Sequence, residues 1–295
     1  MKKKVSFSTK GQRADIGEYK IYRMLPNRYA DAVGPFVFLD HVPPAKHSPD
    51  EPRKVVNGSG AHPHRGIATL TYILNGEADH HDSKGHQARV RSGGAQWMKA
   101  GNGIIHDEAV NVDPERNDLV THAFQFWINL PAKQKAEQPE YLPVQASEVP
   151  QQMLSDKGGW IRVIAGEYEN LVSKIPGYSK QFLYHVHLEP GKQFSISSEQ
   201  DLEYAAFLPV HNAIINGSEY QAGEFIEFDK NEGSIEINNL SPGEAIDIIL
   251  FGGERYEEPI VAQGPFVMNS QNEIVQAYRD FHSGKYGEIN YSQAN

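Results

Sequence analysis

The chain contains no cysteine, which excludes disulfides, thiolate metal sites and cysteine nucleophiles together. Any metal it holds must therefore be bound through nitrogen and oxygen. It also lacks a run of about 18 apolar residues, the length a membrane-crossing helix requires. The N-terminal MKKKVSFSTKGQ is basic, but no apolar stretch and no small-residue cleavage site follow it; a soluble, cytoplasmic chain that meets no membrane is expected. Positive charge is scarce as well. Lys and Arg number 28 against 38 Asp and Glu, a net charge of −10, so the electrostatic footprint of a protein that grips phosphate backbones is missing and direct nucleic-acid binding is not expected.

What is present is an ordinary globular composition. The chain has 295 residues, 39% of them hydrophobic, with 26 Gly and 18 Pro spread along it, and the length suggests about two domains. Helical periodicity is rare. Short alternating apolar runs recur instead, at 19–24, 36–39, 67–74, 122–130, 160–165, 182–188, 205–208, 225–228 and 246–251, which is the pattern of sandwiches and barrels. One stretch, NEIVQAYRDFHSG, reads as a helix with Ile274, Val275, Tyr278 and Phe281 at helical spacing and Gly284 as its stop. The proline-rich, polar segment 131–150 predicts a surface connection that divides the chain.

The two halves resemble each other. ILNGE, SGGAQWM and GNGIIHDE in the first are followed in the second by IINGS, AGEFIEF and EGSIEINN, with Asn75-Gly76 and Asn216-Gly217 as hairpin-turn dipeptides. The repetition suggests a duplicated β-barrel.

Within the first half, AHPHRG places His62 and His64 two residues apart, and GIIHDE does the same for His106 and Glu108. On a strand, residues i and i+2 share a face. Two adjacent strands could thus turn three imidazoles and one carboxylate to a single point. Such a donor set suits Fe(II), Mn, Co, Ni, Cu or Zn and is poor for Mg or Ca. With four protein ligands, a six-coordinate ion keeps two open positions, the arrangement of a catalytic centre.

Other residues have plainer readings. His185 and His187 in LYHVHLEPG repeat the spacing without a second pair, and read as an ordinary strand face. DHHDSKGH (79–86) reads as a solvated loop that could scavenge a metal opportunistically, and His122 as a satisfied wall or core residue. Gln96, Trp97 and Met98 are candidates for a substrate pocket, although adjacent strand residues cannot all face it. Asp40 is a candidate acceptor for a ligating imidazole N–H. Arg65 and Gly66 are assigned to the turn after the histidines, with no chemical role.

The segments AHPHRGIATLTYILNGE, GGAQWMKAGNGIIHDE, FQFWINLP, GPFVFLDHVPP and GPFVMNSQNEIVQAYRDFHSG resemble the pirin family of the cupin superfamily across nearly the whole chain. The resemblance implies an all-β bicupin of two stacked jelly-roll-like barrels with a short C-terminal helix. Its implied domains are 1–135 with the metal site, a linker at 136–150, a second barrel at 151–262 and a tail at 263–295 returning to the first. It implies one divalent metal, usually iron as Fe(II), on His62, His64, His106 and Glu108. The acidic ligand that cupins commonly place soon after HxH is absent, Ala68 and Thr69 standing there. In the second barrel the corresponding residues are Ser195, Ser197, Glu236 and Asn238, a set ill suited to a transition metal.

The activity implied is that of a quercetin 2,3-dioxygenase, acting on a flavonol and O2 with release of carbon monoxide and with Glu108 as the catalytic base. Two other readings remain open: a redox-sensitive iron protein that binds transcription regulators or metabolic enzymes as its protein partner, and a redox-neutral cupin isomerase. A monomer is expected.

Overall fold

A computed structural model describes residues 1–17 and 19–293. Strands dominate it, as the alternating runs predict, and the described residues contain one helix of more than two turns, Gln271–His282. No helix among them is long and apolar enough to cross a membrane. The chain divides into two compact units, residues 1–43 with 149–256 and residues 44–148 with 257–295. Within the later unit, Val5–Lys10 pairs antiparallel with Glu224–Phe228.

That later unit is a two-layered β structure. Gln193–Ser197, Ser234–Asn238, Ala213–Ile215 and Ser218–Tyr220 form one layer, and Leu202–Phe207, Ile246–Glu254, Gln181–Leu188 and Gly159–Ala165 belong to the other. Every second residue points inward: Tyr184, Val186 and Leu188 meet Ile246, Ile248 and Leu250 in a core closed by Ile215, Ile235 and Ile237. Asn216-Gly217 closes the hairpin in which Ile215 faces Ser218. Ser195 lies opposite Glu236, and Glu236 pairs with Lys2.

The other unit carries the candidate site. One layer runs His62–His64, Ile104–Asn111, Glu77–Asp82, Gln87–Arg91, all antiparallel. The second contains, in order, Glu140–Val144, Ala95–Lys99, Ile67–Asn75 and Val120–Asn129. Three expectations are corrected here. Asn75-Gly76 does not close a hairpin; it passes the chain from the second layer into the first, since a turn dipeptide fixes the bend but not the partner. The segment 131–150 is not strandless, because Glu140–Val144 pairs with Ala95–Lys99 at a sheet edge, where Pro143 is tolerated. DHHDSKGH is not a solvated loop: its first four residues lie in the strand Glu77–Asp82, with His80 and Asp82 buried.

The C-terminal part of this unit is a hairpin, Val261–Gln263 with Phe266–Met268, followed by the helix. Ser270 caps the helix by accepting from the Glu273 N–H, and its hydroxyl donates back to the Glu273 carboxylate at 2.8 Å. Ile274 and Ala277 pack with Phe266, Met268 and Tyr286. Val275, expected in the apolar stripe, is on the outer face at 42% exposure.

Candidate metal centre

Strand register builds the site. His62 lies directly opposite His106, and His64 opposite Ile104; on the other side of the same strand His106 faces Asp82, and Glu108 faces His80. Opposed residues share a face, so His62, His64, His106, Glu108, His80 and Asp82 all project from one side of the four-stranded layer. The second layer turns two cross-strand rows toward them. One is Gln125, Thr71 and Gln96; the other is Trp127, Thr69, Met98 and Tyr141. Trp97 is on the opposite face, level with Leu70 and Leu142, so of the three pocket candidates it is the one that pleating turns away from Glu108.

Ligand-capable atoms of His62, His64 and His106 lie within 4.8 Å of one another. The Nε2 atoms of His62 and His106 are 3.0 Å apart, and the ring centroids of the trio are separated by 4.4 to 5.0 Å. Two rings are oriented by backbone: His62 Nδ1 donates to the Gly60 carbonyl at 2.8 Å and His64 Nδ1 to that of Pro265 at 3.1 Å. Their Nε2 lone pairs are left to the centre. His64 Nε2 and His106 Nδ1 are buried without a hydrogen-bond partner, and each such orphan costs about 1 to 3 kcal/mol unless something binds it. A cation does so.

Glu108 stands beside the other nitrogen of His106, its Oε2 3.9 Å from Nδ1. It forms a second, overlapping trio with His80 and His106. Gln96 donates to its Oε1, and Gln125 to its Oε2 at 3.2 Å. Tyr141 donates to Gln96 Oε1 at 2.9 Å, which fixes the amide with its NH2 toward Glu108. The Tyr141 ring also stacks on His80, 4.1 Å between centroids, and His80 continues to Asp82 at 3.2 Å and from there to His86 at 2.8 Å.

The electrostatics follow from burial. Burial and the neighbouring His62 push the His64 pKa down to about 3, against the pull of the Pro265 carbonyl. Burial, helped by the surrounding histidines, holds His106 well below the ordinary imidazole value. Both rings are therefore neutral, the form that binds metal. His80 differs: burial disfavours its charge, but Asp82 and Glu108 outweigh burial and raise its pKa. The all-nitrogen-and-oxygen donors, neutral rings and unpartnered ring nitrogens fit a divalent transition metal.

Sequence reasoning brought the two pairs to notice, named His80 only within a polar cluster, and missed Gln125, Trp127 and Tyr141. Trp127 packs edge-on against His64, 5.0 Å between centroids. The i, i+2 spacing of Gln125 and Trp127 was the available signal; Tyr141 had none. Asp40 is bound bidentately by Arg23, both bonds at 2.9 Å. His185 and His187 share Asp247, at 2.9 and 2.7 Å, an arrangement that already satisfies them, and His122 is buried against Phe124.

The family model described as Pirin matches residues 18–128, and that of the Pirin C-terminal cupin domain matches residues 183–287. The chain belongs to the pirin family. Among pirin relatives, a pirin-like protein of Caulobacter vibrioides is 32% identical over 276 residues, covering 93% of this chain and 92% of that one. A Pseudomonas aeruginosa protein provisionally named a quercetin 2,3-dioxygenase is 31% identical, with 88% and 89% covered. The solved quercetin 2,3-dioxygenase of Acinetobacter baumannii has a TM-score of 0.88 at 27% identity, covering 98% of this chain and 100% of the other. An Escherichia coli pirin solved with nickel(II), at 18% identity and TM-score 0.62 over 85% of this chain and 99% of that one, shares the bicupin fold.

Proposed function

We propose that this chain is a metal-dependent dioxygenase that opens the heterocyclic ring of a flavonol with O2 and releases carbon monoxide, the quercetin 2,3-dioxygenase reaction. The observation that carries the proposal is the convergence of His62, His64 and His106, the last two each with a buried, unpartnered ring nitrogen, beside a carboxylate gripped by two amides. A bound divalent metal, which we take to be Fe(II), would acidify the flavonol 3-hydroxyl and give access to O2. His62, His64, His106 and Glu108 would hold it.

The remaining work falls to the chain itself. Glu108 accepts the 3-hydroxyl proton, since Gln96 and Gln125 keep its oxygens hydrogen-bonded and oriented as acceptors. Trp127 and Met98 give flat and deformable apolar walls for an aromatic substrate. The test is oxygen uptake on adding quercetin to protein whose metal content has been measured. Oxygen consumption with carbon monoxide release is expected. An intact flavonol spectrum with no oxygen consumed would discard the dioxygenase reading and leave redox-dependent partner binding to be measured instead.

A further inference from the structure

Arg65 and Gly66, which follow the histidines in a turn, share one neighbour, Val267. Arg65 Nη1 donates to Asp280 of the C-terminal helix at 2.7 Å, and its backbone carbonyl accepts from the Val267 N–H at 3.1 Å. Gly66 has a φ of +82°, and a Cβ there would stand 1.9 Å from the Val267 carbonyl oxygen. Gly103, just before the strand that carries His106, repeats the device: a Cβ would stand 2.1 Å from the Tyr286 ring. Both glycines beside the ligand strands are thus needed for the close approach of residues 261–287.

The contact ends on a ligand-capable ring. Pro265 lies at the turn of the hairpin, and its carbonyl accepts the His64 Nδ1–H. One residue pair further on, Lys135 is buried and donates to the Val267 carbonyl at 2.7 Å and to Asn129 Oδ1 at 2.6 Å. We infer that residues 261–287 are a positioning strap for the metal centre: clamped by Lys135 and by the Arg65–Asp280 pair, they hold the Pro265 carbonyl on His64 and so fix the ring as the tautomer whose Nε2 faces the ion.

The inference rests on the reading of the histidine trio as a metal site. It makes metal affinity depend on residues more than 150 positions away in sequence, since 201 positions separate His64 from Pro265. Lys135 and Asp280 touch no ligand and act through the strap. Loss of such an outer hydrogen bond commonly lowers metal affinity by about 10- to 100-fold.

The test uses Co(II) alone as the probe on the full chain, with Lys135→Met and Asp280→Asn as variants and Ile274→Val as a control that loosens the helix without touching either clamp. Expected are a 10- to 100-fold weaker Co(II) affinity, on the order given above, with altered visible absorption bands in the two clamp variants and wild-type bands in the control. In the metal-free wild type, the 15N shifts of His64 should report a single Nδ1–H tautomer, and in the clamp variants a mixture. Unchanged Co(II) spectra and an unchanged His64 tautomer in both variants would overturn the inference. Should Lys135→Met fail to fold, Asp280→Asn decides. Failure of the wild type to bind Co(II) refutes the metal-site reading separately, while the His64 tautomer still decides whether the strap holds the ring.

Discussion

Glu108→Gln separates the base from the scaffold. The substitution keeps shape and removes charge, yet it cannot keep the surrounding hydrogen bonds. Gln96 and Gln125 present NH2 groups to the two carboxylate oxygens, and a Gln at 108 offers one acceptor and one NH2, so one neighbour must turn. Gln96 resists, because turning it would take from the Tyr141 hydroxyl the acceptor to which it now donates at 2.9 Å. Gln125, whose other partner is Thr71 at 3.5 Å, gives way. Two hydrogen bonds to a charged group become bonds to a neutral amide, costing about 1 to 3 kcal/mol of stability in all, which leaves a folded protein. Turnover suffers more. Removing a general base lowers the rate by about 10²- to 10⁴-fold, or about 3 to 5 kcal/mol of barrier. The assay pairs an anaerobic absorbance titration with quercetin against oxygen uptake at equal metal occupancy, set by elemental analysis. Flavonol affinity should stay within roughly threefold of wild type, since binding and the chemical step are separable quantities. A turnover within tenfold of wild type at equal occupancy, or a loss explained wholly by missing metal, removes Glu108 from the role of base.

Two further outcomes test the rest of the molecule. Glu227 is half-buried beside Glu203, with one oxygen unpartnered, and burial followed by Glu203 pushes its pKa up to about 7. The folded state thus holds more protons than the unfolded one between about 4.5 and 7, and this group makes stability fall as pH rises through that window. Glu227→Gln should therefore gain on wild type from pH 5 to pH 8 in denaturant melts, and a pH-independent difference would contradict the assignment. His187→Asn breaks the second HxH and removes the 2.7 Å bond to Asp247 and the stacking on Trp160; it should cost stability while leaving metal content per chain unchanged. A drop in metal content would show that the second barrel binds metal after all.

The class of fold was legible because a half-buried strand advertises itself by alternation, and the second barrel alternates cleanly from Tyr184 to Leu188 and from Ile246 to Leu250. The two pairs of the candidate site were legible for the same reason, since i, i+2 is itself the period of a strand. Alternation fails where both faces are occupied. Gln125 and Trp127 sit among Phe124, Phe126 and Ile128, all buried, so the polar row was lost in an apolar run. His80 was hidden in the opposite way. Its strand is polar on both faces, His80 and Asp82 turned to the site while Asp79 pairs outward with Arg89 at 2.6 Å and with Arg53 at 2.5 Å, and a strand without an apolar face looks like a loop.

The same point explains what the polar residues are for. A barrel built for stability alone would fill these inward positions with Val or Leu, each worth roughly 1.5 to 3 kcal/mol when buried. Here the inward face carries His64, His80, His106, Asp82 and Gln96, all buried, and two of their ring nitrogens have no partner within the protein. Structural polar networks satisfy themselves, as Arg23 does with Asp40 and His185 with Asp247. Among these inward residues the two unpartnered nitrogens lie on rings that meet at one point, which supports the proposal that the chain binds an ion there. The backbone follows the same logic: Gly66 and Gly103 give up side chains where residues 261–287 approach, and a carbonyl from the far end of the sequence reaches the His64 ring.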